Sequence, residues 1–222
     1  MYVHVNAAVS VDGKLSSRAR EQIRISGQTD FDRVDRIRAA ADAVLVGVGT
    51  VLADDPHLTL DEEDRRVQRL RNGRPGNPAR VVADSRGRTP SDARILDDAA
   101  ETYVLLAEAA DETDVQRLEA TGATVIVAGD DRTALPAALD ELDTAGVDRL
   151  LVEGGGELIF SLFAADLVDE LTVFVGSLVI GGREAPTLAD GDGFLDREAF
   201  PELTLEDVQR VDDGVVLSYD VT

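Results

Sequence analysis

From Ala43 onward the chain alternates short aliphatic and β-branched runs with longer stretches of helical period, and this constrains the fold more than any other feature. Ala43 to Val48 (AVLVGV) is a continuous apolar run, as expected of a strand covered on both faces. Arg80 to Ala83 and Thr102 to Ala107 (TYVLLA) have the same character. Asp111 to Ala120 then reads as helix, Thr124 to Ala128 (TVIVA) as strand, Ala134 to Ala145 as helix and Arg149 to Val152 as strand. Gly154 to Ala165 opens another helix. Ahead of this series, Tyr2 to Val9 alternates as a strand does, and Asp30 to Ala41 has helical spacing, with Thr29 or Asp30 as its cap. After it, Glu170 to Ile180, Leu203 to Val211 and Val215 to Val221 read as longer, partly antiparallel strands. The pattern predicts an α/β protein with a mostly parallel sheet, an antiparallel C-terminal edge and helices on both faces. Asp61 to Pro78, rich in arginine, glycine and proline, reads as a mobile surface loop.

The 222 residues suit a single domain spanning 1–222, long enough to bury a core without disulfides or metal staples. There are no cysteines, which excludes thiolate nucleophiles and cysteine zinc sites and fits a reducing cytoplasm. No signal-peptide pattern opens the chain, and no apolar run approaches the roughly 20 residues of a membrane span. Acidic residues number 44 against 22 basic ones, for a net charge of −22, and Lys14 alone among the bases is lysine. Such a surface repels a phosphate backbone, so nucleic acid is an unsuitable partner. The acid is dispersed in pairs and short runs (Asp54 and Asp55, Asp97 and Asp98, Asp130 and Asp131), which suggests a protein adapted to a high-salt cytoplasm, with an acidic protein of an ordinary cell as the alternative.

Three segments carry candidate chemistry, each just past an apolar run. Leu150-Leu151-Val152-Glu153-Gly154-Gly155-Gly156-Glu157 ends a strand in an acid, then places three glycines before a helix. Backbone N–H groups there can approach a dinucleotide pyrophosphate, with Glu153 facing the same crevice. A plain strand-to-helix turn would need the same glycines. Gly47-Val48-Gly49-Thr50 lacks the third glycine of a dinucleotide fingerprint, but Thr50 and Asp54 stand one helical turn apart and can address one ligand. In Asp84-Ser85-Arg86-Gly87-Arg88 a hydroxyl and arginines can clamp a phosphate, including the 2′-phosphate that separates NADP from NAD. Arg38 falls on the apolar stripe of its helix, as an inward guanidinium or one snorkelling from the helix edge would. The two histidines, His4 and His57, form no metal-binding spacing; His4 belongs to a strand, and His57 follows the Asp54-Asp55-Pro56 turn, where it can touch an anion. No metal site is expected.

Together these segments resemble the reductases of the riboflavin pathway, a family that includes archaeal and fungal diaminohydroxy-ribosylamino-pyrimidine phosphate reductases and the C-terminal half of the bacterial deaminase-reductase. The matching pieces are Ser10 to Lys14, Arg24 to Ser26, Ile37 to Ala39, Gly47 to Thr59, Val82 to Ser85, Leu151 to Gly156, Leu167 to Glu170 and Gly181 to Pro186, in the family's order. The resemblance implies a dihydrofolate-reductase-like fold, a cytoplasmic homodimer, and NADPH (or NADH) as cofactor. It also implies reduction of the ribosyl side chain of 2,5-diamino-6-ribosylamino-4(3H)-pyrimidinone 5′-phosphate to the ribityl form, by hydride delivery to the sugar C1′. By position it assigns Ala8, Thr50, Asp54, Ser85, Arg86, Gly154, Gly155, Gly156 and Glu157 to the cofactor. Arg24, Ser26, Arg38, His57, Leu58 and Glu153 fall to the substrate, with Glu153 and Asp54 as the catalytic pair. His57 and Asp61 depart from the family pattern, which puts phosphate binding there in doubt. A dihydrofolate or pteridine reductase, and a nucleotide-binding module without catalysis, remain alternatives on the residues alone.

Overall fold

The computed structural model describes residues 1–21 and 23–222. Its contacts divide into two compact units, one made of Met1 with Asp35–Leu151 and the other of Tyr2–Val34 with Val152–Thr222.

In the first unit the strands β2 (Ala43–Gly47), β3 (Ala79–Ala83), β4 (Thr102–Leu106) and β5 (Thr124–Val127) pair in parallel in that order. Their burial explains their composition: β4 is buried at every position, whereas β5, at the end of the row, is half exposed and Val127 is open to solvent. The intervening helices are α2 (Val48–Asp54), α3 (Glu63–Arg71), α4 (Glu112–Glu119) and α5 (Leu135–Thr144). Helix α5 buries Leu135, Ala138, Leu139 and Leu142, the i, i+3, i+4, i+7 stripe of an amphipathic helix, and carries a proline in its first turn. The unit's core runs from Val44 and Val46 through Val82, Val104 and Leu106 to Leu118 and Leu151.

The second unit holds β1 (Tyr2–Ser10), β7 (Glu170–Gly176), β8 (Leu203–Val211) and β9 (Gly214–Val221). Strand β1 pairs in parallel with β7, while β7–β9 and β8–β9 are antiparallel. Thus the antiparallel pairing falls at the C-terminal end of the chain, as the change in sequence style predicted. A core centred on Ile25, Phe174 and Val216 sits here. Helix α6 (Gly156–Ala164) follows β6 (Arg149–Val152), the strand in which one unit gives way to the other along the chain. Helix α1 (Gln28–Ala40) likewise contributes residues to both.

Two expectations need correction. Asp61 to Pro78 is not a mobile loop, since it contains α3, and that helix is pinned by charge rather than by an apolar stripe. The buried carboxylate of Asp35 accepts the Asp61 N–H at 2.7 Å and pairs with Arg65 at 2.5 Å. Buried Arg69 donates to the carbonyls of Ala39, Ala41 and Pro75 at 2.7–2.9 Å. Helix α1 also begins two residues earlier than its spacing suggested. Its opening N–H groups, Thr29 and Asp30, are met by the carboxylate of Asp212 in the β8–β9 turn at 3.3 and 3.1 Å, a cap 183 residues away in sequence. The Thr29 side-chain hydroxyl foremost, and then the N–H groups of Asp30, Thr29 and Gly27, hold the Asp212 carboxyl below its ordinary range.

Candidate functional site

In the first unit the candidate residues gather beyond the carboxyl ends of β2 and β3. Helix α2 contains both Thr50 and Asp54, one turn apart as the spacing required. Asp54 remains exposed to solvent, yet partial desolvation raises its carboxyl above the ordinary range. The turn that follows is unusual in its backbone. Asp55 and Leu58 both have positive φ, +41° and +52°, and Leu58 is buried. A bulky residue in the left-handed region is uncommon and persists only where its surroundings hold it.

The holding contacts are on every side. Asp55 accepts the Arg94 N–H at 2.8 Å, Leu60 N–H donates to Asn77 at 3.1 Å, and Arg38 Nη1 donates to the Thr59 carbonyl at 3.3 Å. Both nitrogens of His57 are engaged, Nε2 with Asp97 Oδ2 at 2.5 Å and Nδ1 with Thr59 Oγ1 at 3.2 Å. Asp97 is itself fixed by Arg80, whose fully buried guanidinium also reaches Thr102 Oγ1 and the carbonyls of Asp97 and Ala100. His57 and Leu58 therefore belong to one loop, which Arg38 braces from α1. Burial would raise the Asp97 carboxyl, but hydrogen bonds from Arg80, the Ala99 N–H and His57 outweigh it and hold it at about 2.

At the end of β3, Ser85 Oγ accepts the Thr133 N–H at 3.0 Å and lies 3.2 Å from Thr133 Oγ1. Asp84 is buried and closes the turn by accepting from Thr89 N–H and Oγ1 at 2.7 and 2.8 Å. Arg86 is exposed and forms no ion pair among the described residues.

In the second unit Glu153, half-buried, follows β6 directly. Gly154 adopts φ +130°, a conformation open in practice only to glycine, and its peptide bond to Gly155 is cis. Gly155 precedes the first turn of α6 in extended conformation with no side-chain cap, leaving the opening N–H groups of that helix without a side-chain acceptor. At Gly156 the reason for glycine lies in the protein: a Cβ there would run into the carbonyl of Thr187 and the carboxylate of Asp190. Glu157 is exposed on the first turn of α6. Ala8 stands opposite Phe174 in the β1–β7 register. Arg24 Nε donates to the Ser26 carbonyl at 3.3 Å, and its guanidinium lies 5.4 Å from the Phe31 ring centre. His4 bridges β1 to β7 through Thr172 Oγ1 at 2.8 Å, as a strand residue.

Sequence reasoning missed Asp97, Arg80 and Thr133, which brace His57 and Ser85 from 40 and 48 residues away. Arg80 left one trace, a charge at the start of an otherwise apolar strand. Among the described residues no cluster of His, Asp or Glu could hold a metal ion.

The chain is 46% identical over 98% of its length to the 2,5-diamino-6-ribosylamino-4(3H)-pyrimidinone 5′-phosphate reductase of Archaeoglobus fulgidus, covering 96% of that protein. It is 39% identical to the protein of the same name from Methanothermobacter thermautotrophicus, over 99% of this chain and 98% of that one. Among solved structures, a pyrimidine reductase-like protein of Corynebacterium diphtheriae superposes with TM-score 0.81 at 22% identity, over 100% of this chain and 92% of that one. Acinetobacter baumannii RibD superposes with TM-score 0.79 at 25% identity, and there all of this chain spans only 58% of the other. The dihydrofolate-reductase-like α/β fold implied by the resemblance stands. Residues 1–217 match the RibD C-terminal domain, and the chain belongs to that family.

Proposed function

We propose that residues 1–222 act as one reductase domain that converts the ribosyl side chain of 2,5-diamino-6-ribosylamino-4(3H)-pyrimidinone 5′-phosphate to the ribityl form, with NADPH as reductant. The observation that carries this reading is the near full-length identity of 46% to an archaeal protein of that name.

The residues fit a nicotinamide dinucleotide. Gly154 and Gly155 bring bare backbone to the start of α6, whose first-turn N–H groups and positive dipole end suit a pyrophosphate. Gly49 faces open space, where a Cβ would meet nothing within 4 Å. Arg86, uncommitted to any carboxylate among the described residues, suits a 2′-phosphate, which is why we favour NADPH over NADH. The bound cofactor supplies the hydride. The chain's own residues hold the reactants close and manage the proton. Leu58 forms a wall for the pyrimidine, held by the braced loop, while Arg38, Arg24, Ser26 and His57 serve the substrate's polar edge. Glu153 accepts hydrogen bonds from the substrate. Asp54, whose raised carboxyl keeps a proton to higher pH than an ordinary aspartate, relays it to the product.

Three further parts of the reading rest on separate observations. Strand β8 is exposed along nearly its whole length, with Leu203, Leu205 and Val208 open to solvent; an edge of that kind suits pairing with a second copy in a homodimer. The absence of cysteine and the acidic coat suit a salt-rich cytoplasm. No helix among the described residues is long and apolar enough to cross a membrane.

The test is NADPH oxidation with the ribosylamino-pyrimidine phosphate in high KCl, beside Glu153→Gln. Turnover that falls at least about 100-fold in the variant supports both reaction and site. No turnover by the native chain overturns the assigned substrate.

A further inference from the structure

Strands β1 and β7 are parallel neighbours, so the segments leaving their carboxyl ends emerge on the same side, where open α/β sheets place their ligands. The structure fastens these two segments to each other. The Asp12 carboxylate accepts the Ser10 hydroxyl at 2.6 Å and the N–H groups of Ile180 and Gly181 at 3.0 and 2.7 Å. Lys14 Nζ donates to the Ala185 carbonyl at 3.2 Å, and the Leu15 N–H donates to that of Pro186 at 2.9 Å. Between the fastened segments lies a cavity of about 340 Å³ lined by Arg18, Ile180, Gly181, Gly182, Arg183 and Glu184.

Arg18 and Arg183 are both exposed, and among the described residues neither forms an ion pair or a side-chain hydrogen bond. Elsewhere in the chain Arg33, Arg65, Arg66, Arg74, Arg80 and Arg117 hold carboxylates. Two uncompensated guanidiniums facing one cavity attract an anion. Glu184 on the wall leaves the cavity with one net positive charge, which a strongly charged ligand uses better than a weakly charged one. Gly181 and Gly182, at φ +71° and +90°, leave the floor free of side chains. A phosphate monoester carries about 1.5 to 2 negative charges at neutral pH and three acceptor oxygens, and guanidinium forks match those oxygens.

We propose that Arg18 and Arg183 clamp a phosphate monoester in this cavity. The proposal rests on the reductase reading only for the source of that phosphate: the sugar 5′-phosphate of the pyrimidine or, in place of Arg86, the 2′-phosphate of the dinucleotide.

Calorimetric titration with ribose 5-phosphate, and with ribose as control, tests the clamp without any turnover. The native chain is expected to bind the phosphate ester and not ribose. Arg18→Ala/Arg183→Ala is expected to lose at least tenfold in affinity while melting at the native temperature, and Arg183→Lys to retain part of it. No binding by the native chain, or equal binding by native chain and double variant, overturns the clamp. Kinetics then identify the source. A KM raised about tenfold for the phosphorylated pyrimidine and unchanged for its dephosphorylated form assigns the substrate phosphate. A lost preference for NADPH over NADH assigns the cofactor phosphate. If ribose 5-phosphate binding depends on both arginines but the native chain turns over nothing, the clamp stands and the reductase reading falls.

Discussion

Arg80 Nη1 lies 2.7 Å from Asp97 Oδ1, and the guanidinium is wholly buried while the carboxylate stays partly open to solvent. The pair therefore anchors a surface loop to the interior of a strand, with His57 on the other carboxylate oxygen. Removing the buried partner strands Asp97 and leaves two carbonyls without a donor. Arg80→Met is expected to cost about 1–3 kcal/mol of unfolding free energy, read by urea titration.

The same pair gives a pH signature. Asp97 titrates at about 2 in the folded protein against an ordinary 3.8. A depressed carboxyl adds stability that is complete above about pH 5 and lost as pH falls through the folded value. The stability difference between the native chain and Asp97→Asn should accordingly be largest near neutrality and shrink below pH 4 or so. A difference constant down to the acid transition would show that the carboxylate's charge does not brace the loop.

Asp54 should behave oppositely. Its carboxyl is raised by partial desolvation, so the ionised form is disfavoured in the folded state and opposes folding at neutral pH. Asp54→Asn is expected to melt slightly higher than the native chain while kcat falls about 100-fold, and to lose the decline in rate as pH rises through the Asp54 titration. A variant that melts lower with unchanged kcat would remove Asp54 from the proton relay.

Gly156→Ala separates packing from ligand binding. The added methyl meets the Thr187 backbone and lies 2.9 Å from Asp190 Oδ2, so the 187–190 turn must shift. Overpacking of this kind costs about 1–3 kcal/mol, and it should appear in thermal melts with no cofactor present.

The acidic coat predicts a salt response. Raising KCl from about 0.1 to about 1 M shortens the screening length from roughly 10 to 3 Å, which removes most repulsion among dispersed carboxylates. Melting temperature and activity should both climb over that range. Full activity in dilute buffer would argue against adaptation to salt.

The strands were readable because burial on both faces makes them continuously apolar; Ala43–Gly47 and Thr102–Leu106 each lie within one residue of their sequence reading. Helix α3 was not readable. It has no apolar stripe, and its stability comes from Asp35 and from carbonyls near residue 40, which no local pattern reveals. The site divides the same way. Thr50 with Asp54, and the glycines after Glu153, announce themselves by spacing. The contacts of His57 and Ser85 are settled by Asp97 and Thr133, which only the folded chain brings near. Gly156, which the resemblance assigns to the cofactor, is also required to be glycine by the Thr187 turn, a constraint only the folded chain reveals.

Lys14 is the single lysine of the chain, and its amine rests on the Ala185 carbonyl where the segments after β1 and β7 meet. A lysine-directed reagent thus has one address among these residues, and it lies at this junction. A fluorophore or acyl group placed on Lys14 becomes a built-in reporter of whether those two segments stay joined, with no engineering of the protein required.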